Sequence, residues 1–295
     1  MLASHHPPAV AEKGTLYVVA TPLGNLRDIT QRALDILGSA DAIAAEDTRN
    51  TRHLLAHFGL NTPCFALHQH NEAVAALRVL ERLRAGEAIA LVTDAGTPAI
   101  SDPGGRVVAM VREAGLAVVP VPGPAALTAA LSVAGLGETG FVFGGFLPAR
   151  SGPRREALKR LARGGLPVVL YEAPHRVLEC LADLAAVCGD QARLMIAREL
   201  TKLFEEVFCG RLGDAAAWFA ADANRQRGEF VLIVEPPLAA TEETRPALAA
   251  EELLRLLLEE LPPTRAAKLA ARITGEPRQA LYARALAMKE NHRVG

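Results

Sequence analysis

The chain of 295 residues is half hydrophobic and 22% charged, with a formal net charge of −1, a balance too apolar for general disorder and typical of a folded globular protein. At roughly 150 residues per domain its length suits two domains with filled cores. The charge excludes a wholly basic nucleic-acid binder but is segregated along the chain. Residues 149–176 carry seven Arg/Lys against two acids, 241–261 six acids against two arginines, and 262–295 seven bases against two acids.

The first 13 residues lack the order of a signal peptide, and no apolar run reaches the ~20 residues of a membrane span, so the expected location is the cytosol. Cys64, Cys180, Cys188 and Cys209 form no Cys-x-x-Cys pair and have no companion histidines at finger spacing. They read as buried thiols, with no metal site indicated.

In chain order, runs at 16–20, 42–45, 89–92 and 117–121 read as strands, and 31–37, 49–58, 73–84 and 106–114 as helices between them. This alternation predicts a mostly parallel, three-layer α/β domain. After Pro122-Gly-Pro-Ala125 a helix should run to about residue 133, and 135–140 reads as a hinge. A second α/β unit follows, with strands at 141–146, 167–171, 193–197, 206–209 and 229–234. Its sheet is expected to be mixed, because the connection around 201–205 is too short for a helical crossover. Pro236-Pro237 closes this unit, and amphipathic helices follow at 247–260, 264–273 and 277–289. The predicted domains are a disordered N-terminus (1–13), an N-terminal α/β domain (14–135), a C-terminal α/β domain (136–238) and a helical extension (239–295).

Ligands of open α/β sheets bind beyond the carboxyl ends of the strands, where four polar Gly/Pro-rich loops fall: 21–25, 46–49, 93–105 and 122–125. No Gly-x-Gly-x-x-Gly or phosphate-loop pattern occurs, which disfavours a dinucleotide or nucleoside triphosphate. Asp94, at a strand end beside Gly96 and Pro98, reads as a ligand contact able to accept from a ribose or an ammonium group, and Gly96 lets a ligand approach the backbone. Asp102, before Pro-Gly, reads as a turn former that starts the next helix.

The blocks Ala20-Thr-Pro-Leu-Gly-Asn25, Glu46-Asp-Thr-Arg49, Thr93-Asp-Ala-Gly-Thr-Pro98, Pro122-Gly-Pro-Ala-Ala126 and Tyr171-Glu-Ala-Pro-His-Arg176 occur in the order that resembles the tetrapyrrole methylase superfamily. Within it they resemble the branch that methylates the ribose 2′-oxygen of a decoding-site cytidine in 16S rRNA. The resemblance implies a two-domain class III methyltransferase fold with a helical extension, S-adenosylmethionine as cofactor, 16S rRNA or the small ribosomal subunit as partner, and a homodimer. Carried over residue by residue, it places the cofactor against Pro22, Leu23, Gly24, Asp94, Gly96, Thr97, Ala125, Ala126, Tyr171 and Phe230. Ala125 stands where Ser or Thr is frequent, leaving only backbone contact there.

Methyl transfer from a sulfonium needs mainly an oxygen aligned opposite the departing sulfur, helped by a base or a cationic neighbour. The candidates are Glu46, Asp47, His68, Glu172, His175 and Lys202, with the Glu172-to-Arg176 loop first. Glu46 and Asp47 are equally readable as a helix cap with Arg49 paired to a carboxylate, Lys202 as part of a surface ion-pair cluster, and His68 and His70 as loop residues. For RNA the candidates are Arg49, Arg176 and the basic run Arg154, Arg155, Lys159 and Arg163, in which 155, 159 and 163 share a helical face that could follow a phosphate backbone or be solvated surface. The last two helices are compatible with a helix-turn-helix-like module or with a packing tail. A small-molecule methylase of the same fold and a non-catalytic RNA-binding assembly factor are the rival functions.

Overall fold

The computed structural model describes residues 9–68, 71–236 and 250–291. His70, Pro237 and the start of the helical extension lie outside them. Strands β1 (Thr15–Val19), β2 (Ala42–Ala45), β3 (Cys64–Ala66), β4 (Ile89–Val92) and β5 (Ala117–Val121) form an all-parallel sheet in the order β3-β2-β4-β1-β5. β2 and β4 are buried at every position, as expected of strands covered on both faces. Pro120 is tolerated because β5 is an edge strand. The sequence did not predict β3, whose three residues are too few to show a period.

Helices α1 (Gln31–Ser39) and α2 (Thr48–His57) cover one face through Ala33, Ile36, Leu37 and Leu55. α3 (Glu72–Arg84) and α4 (Gly105–Glu113) cover the other through Ala76, Val79, Leu83, Val107 and Val111. Thr30 caps α1 by accepting from Ala33 N at 3.1 Å, and Asp47 caps α2 by accepting from Arg49 N at 2.8 Å. Residues 9–13, expected to be disordered, run along this layer. Ala9 N donates to Asp35 Oδ2 (3.1 Å), Ala11 N to Ser39 Oγ (2.9 Å) and Glu12 N to the Tyr17 hydroxyl (2.8 Å).

The second sheet contains β6 (Val142–Phe146), β7 (Val168–Glu172), β8 (Arg193–Arg198), β9 (Glu206–Arg211) and β10 (Phe230–Glu235), in the order β6-β7-β10-β8-β9. Only β6 and β7 pair in parallel, so the sheet is mixed, as the short 201–205 connection requires. α6 (Ser151–Ala162), α7 (Val177–Cys188) and α8 (Ala215–Ala221) pack on one face. α5 (Ala126–Ala134) covers the other, with Ala130 against Val169, Met195, Ala197, Val231 and Ile233. The helix expected at the end of the N-terminal domain thus packs on the second sheet. Residues Met1–Pro237 make one compact unit and Leu238–Gly295 a second.

The second unit has its own core. α9 (Ala250–Glu260), α10 (Pro263–Thr274) and α11 (Arg278–Asn291) close around Leu253, Leu254, Ala266, Ala267, Ala270, Leu281 and Ala285. Pro263 opens α10 where a missing N–H is harmless, and Gly275 at φ 78° ends it. Arg265, Lys268 and Arg272 form an exposed stripe on α10. Among the described residues no helix is long and apolar enough to cross a membrane. The four cysteines are free. Cys180 and Cys188 are buried as expected, whereas Cys209 is exposed.

Candidate active site

The polar loops meet at the carboxyl ends of the first sheet because they bind one another. Thr21 and Gly96 exchange backbone hydrogen bonds of 2.9 and 3.0 Å, and Thr97 Oγ1 donates to Pro124 O at 3.0 Å. The N–H and carbonyl of Gly96 are thus occupied, and what this residue offers a ligand is space. A Cβ there would lie 3.1 Å from Leu23 Cδ2, on a backbone at φ +83° that only glycine adopts freely. From the second half, the Tyr171 hydroxyl accepts from Leu127 N at 3.0 Å, and its ring is edge-on to Phe143 and Phe146.

Between the halves lies a cavity of about 390 Å³. Of the residues predicted from sequence, Leu23, Glu46, Asp94, Ala126, Tyr171, Glu172 and Phe230 line it, and an annex of about 50 Å³ adds Gly96, Thr97 and Ala125. Pro22 and Gly24 are not in it. They line a separate hollow that shares Leu23, Thr93 and Asp94 with the main cavity. Among the residues that sequence reasoning missed are Thr93, Asp102 and Phe146.

Carboxylates dominate the polar wall. Thr93 Oγ1 donates to Glu46 Oε2 at 2.5 Å, while Asp94 accepts from Asp47 N at Oδ1 (3.1 Å) and from Asn50 Nδ2 at Oδ2 (3.2 Å). Burial raises the Asp94 pKa, and the neighbouring Glu46 raises it further. Asp102 is pushed up to about 7, by burial first and then by Glu46 and Asp94. The expectation that Asp102 starts the next helix does not hold. α4 begins beyond Gly104 without a side-chain cap of its own. Its first donors, Gly104 N and Arg106 N, go instead to Glu72 Oε1 at 2.9 and 3.1 Å. A cavity in which burial and neighbouring carboxylates raise the pKa of both Asp94 and Asp102 favours a cation, whose charge would relieve that penalty. The sulfonium and ammonium of S-adenosylmethionine fit that requirement.

Several predicted catalytic and RNA-binding residues are engaged elsewhere. Glu172 is 2% exposed, accepts from Ala173 N at 2.8 Å and pairs with Arg176 Nε at 3.2 Å. Arg176 donates to Leu147 O at 2.6 Å, so it ties α7 to the end of β6 and does not face a phosphate. His175 is exposed but does not line the cavity. Lys202 sits between Glu199 Oε1 and Glu229 Oε2, both at 2.8 Å. Burial works against its charge, but those two hydrogen bonds outweigh it and raise its pKa, so Lys202 is a cation and not a base. Its stem lies over Gly24, where a Cβ would come 2.2 Å from Lys202 Cγ, and the adjacent Thr201 Oγ1 accepts from Asn25 N at 3.2 Å. Lys202 therefore fastens the second half onto the first loop.

Asp47 is held down to about 2 by the side-chain hydrogen bond from Arg49, which also removes it as a base. Arg49 itself stays 81% exposed while paired at 2.7 Å. Arg154 is a correction: it is 1% exposed and donates to Asp183 (2.6 Å) and Ala149 O (3.2 Å). Arg155 also pairs with Asp183, Lys159 pairs with Glu156 at 2.9 Å, and Arg163 is exposed. His68 lies outside the cavity, with its N–H donating to Asn71 Oδ1 at 2.8 Å. Among the described residues no group of three or more His, Cys, Asp or Glu is placed to hold a metal.

Residues 15–216 match the family model of tetrapyrrole (corrin/porphyrin) methylases. The chain belongs to the tetrapyrrole methylase family. Residues 244–289 match a second model, the RsmI C-terminal HTH domain. Within the family the chain is 52% identical over 269 residues to ribosomal RNA small subunit methyltransferase I of Xylella fastidiosa Temecula1, covering 91% of this chain and 98% of that one. It is 50% identical over 281 residues to the Escherichia coli O157:H7 protein of the same name, covering 95% and 98%. Among solved structures, cobalt precorrin-4 methyltransferase matches with a TM-score of 0.58 at 17% identity, over 75% of this chain and 94% of that one. Thermus thermophilus uroporphyrin-III C-methyltransferase complexed with S-adenyl homocysteine matches with a TM-score of 0.55 at 20% identity, over 75% and 96%. As a tetrapyrrole methylase of the ribosomal RNA small subunit methyltransferase I branch, the chain is an S-adenosylmethionine-dependent methyltransferase.

Proposed function

We propose that this tetrapyrrole methylase transfers a methyl group to the ribose 2′-oxygen of a decoding-site cytidine in 16S rRNA, and does so in the cytoplasm as a homodimer. The observation that carries the reading is an acid-lined cavity in a chain about half identical, over nine-tenths of its length, to proteins named for small-subunit rRNA methylation. The ribose, the cytidine and the dimer rest on the resemblance of the Glu46-to-Arg49 and Tyr171-to-Arg176 blocks. The test is methyl transfer to small ribosomal subunits, with the modified nucleotide mapped by resistance of one ribose linkage to alkaline cleavage.

When bound, S-adenosylmethionine supplies a methyl already activated on a positive sulfur. The protein's part is then charge and position. Asp102 and Glu46 would hold the cofactor's positive charge, Tyr171 and Phe230 would enclose it from the second half, and Leu23, with Gly96 in the annex, would bound it on the side of the first sheet. Asp94 lines both the cofactor cavity and the adjoining hollow. Each of its oxygens keeps a lone pair beyond the hydrogen bonds from Asp47 and Asn50, and burial raises its pKa, which makes it a stronger base than a free carboxylate. We assign to Asp94 the orientation and deprotonation of the ribose hydroxyl, and to Arg49, Lys159, Arg163 and the α10 stripe the sequence-independent hold on phosphates.

A further inference from the structure

We infer that the hollow between the β1 loop and α2 is the acceptor subsite, receiving a single nucleoside drawn out of the RNA. This rests on the ribose-methylation reading above. In-line transfer puts the acceptor oxygen ~3–3.5 Å from the methyl carbon, opposite sulfur. A cavity of about 390 Å³ is in the range for one small molecule, so a cofactor filling it leaves no room for a nucleotide. The acceptor must enter from a space sharing a wall with the cofactor.

Of the three smaller or neighbouring cavities compared with it, the β1-loop hollow has the required size and position. It measures about 280 Å³ and shares Leu23, Thr93 and Asp94 with the cofactor cavity. The 50 Å³ annex is too small, and the groove along α1, lined by Ala9, Leu34 and Phe58, shares no residue with the cofactor cavity. Asp94 in the shared wall also puts a carboxylate where the acceptor hydroxyl must lose its proton.

The lining suits a nucleoside. Leu23, Leu26 and Leu54 supply apolar surface for the faces of a base, while Asn50 and His53 on the first two turns of α2 supply polar groups for its edges. Two exposed cations flank the site in sequence, Arg27 beside Leu26 and Arg49 beside Asn50, suited to the phosphates on either side of an extruded nucleotide. A pocket of this volume excludes a stacked dinucleotide, so the target must leave its stack to be methylated, at the unstacking cost that base-extruding enzymes meet.

The full-length protein with Leu26→Trp, which fills the hollow from an exposed position, and with His53→Ala tests the inference. S-adenosylmethionine binding is followed by calorimetry, and radiolabelled methyl transfer to unmodified small ribosomal subunits gives kcat and KM. The expected result is unchanged cofactor affinity in both variants, a drop in kcat/KM of at least about tenfold for Leu26→Trp, and a rise in KM without loss of kcat for His53→Ala. Wild-type kcat/KM in both variants would overturn the acceptor assignment while leaving the ribose-methylation reading intact. A parallel loss of cofactor affinity would instead make the hollow part of the cofactor site. Failure of the wild-type protein itself to methylate the subunits would overturn the reading on which the inference rests.

Discussion

Asp102 provides the sharpest energetic prediction, because its carboxyl is pushed from 3.8 up to about 7 by burial and by Glu46 and Asp94. At pH 6.5 a group titrating near 7 holds about 0.8 of a proton. A sulfonium placed in the same cavity favours the carboxylate and expels that proton. Calorimetry of S-adenosylmethionine binding at pH 6.5, in two buffers of different ionisation enthalpy, should therefore show release of more than about half a proton per site. S-adenosylhomocysteine, with an uncharged sulfur, should release less. Asp102→Asn should reduce the release to whatever Asp94 contributes and weaken S-adenosylmethionine more than S-adenosylhomocysteine. The same linkage fixes the sign for stability. The native state binds this proton more tightly than the unfolded chain, so Asp102 makes the ligand-free protein lose stability as pH rises from about 4 to 7. Asp102→Asn should flatten that slope. Equal proton release in wild type and Asp102→Asn would refute the claim that Asp102 faces the cofactor's charge.

Other substitutions test separate parts of the account. Asp94→Asn should lower kcat by about a hundredfold or more, the scale of a lost general base, while S-adenosylmethionine affinity, measured by calorimetry, changes far less. Arg154→Met leaves Asp183 buried with one cation fewer and should cost about 3–5 kcal/mol in urea unfolding, whereas Arg163→Glu should leave stability unchanged and weaken RNA binding. Gly24→Ala drives a Cβ into Lys202 and should raise the KM for S-adenosylmethionine by loosening the tie between the halves; Lys202→Ala should raise it likewise, and a wild-type KM in Lys202→Ala would refute the tie. Glu72→Ala removes the acceptor for Gly104 N and Arg106 N and should cost about 1 kcal/mol of stability, read from the same unfolding curves.

Much of the fold is readable because its signals are local. β2 and β4 are continuous apolar runs, α1 and α2 begin at Thr30 and Asp47, and the 201–205 connection is too short for anything but an antiparallel pair. The edge strand β3, three residues long, carries no such signal. The site divides in the same way. Leu23, Asp94, Ala126 and Tyr171 are identifiable because ligand loops lie at strand ends and keep a recognisable order. Asp102 is hidden because Asp-Pro-Gly looks like a turn, and the acceptor that replaces it at α4, Glu72, is remote in sequence. Arg154 shows where a charge count misleads. It lies one turn before the buried Leu158, and only the partner Asp183 on α7 reveals why a guanidinium is inside. Arg176 and Lys202 are likewise long cations: each has one partner close in sequence, Glu172 and Glu199, but Leu147 O and Glu229 are brought to them by the tertiary fold.

The central claim is that the acid-lined cavity serves methyl transfer to a ribose of small-subunit rRNA. Its most direct test is to incubate the protein with radiolabelled S-adenosylmethionine and small ribosomal subunits lacking the modification, then map the label. The account predicts one labelled nucleotide, a cytidine at the decoding site, whose 3′ linkage resists alkaline cleavage. Label on a base, or no label in rRNA while S-adenosylmethionine binds normally, would contradict it.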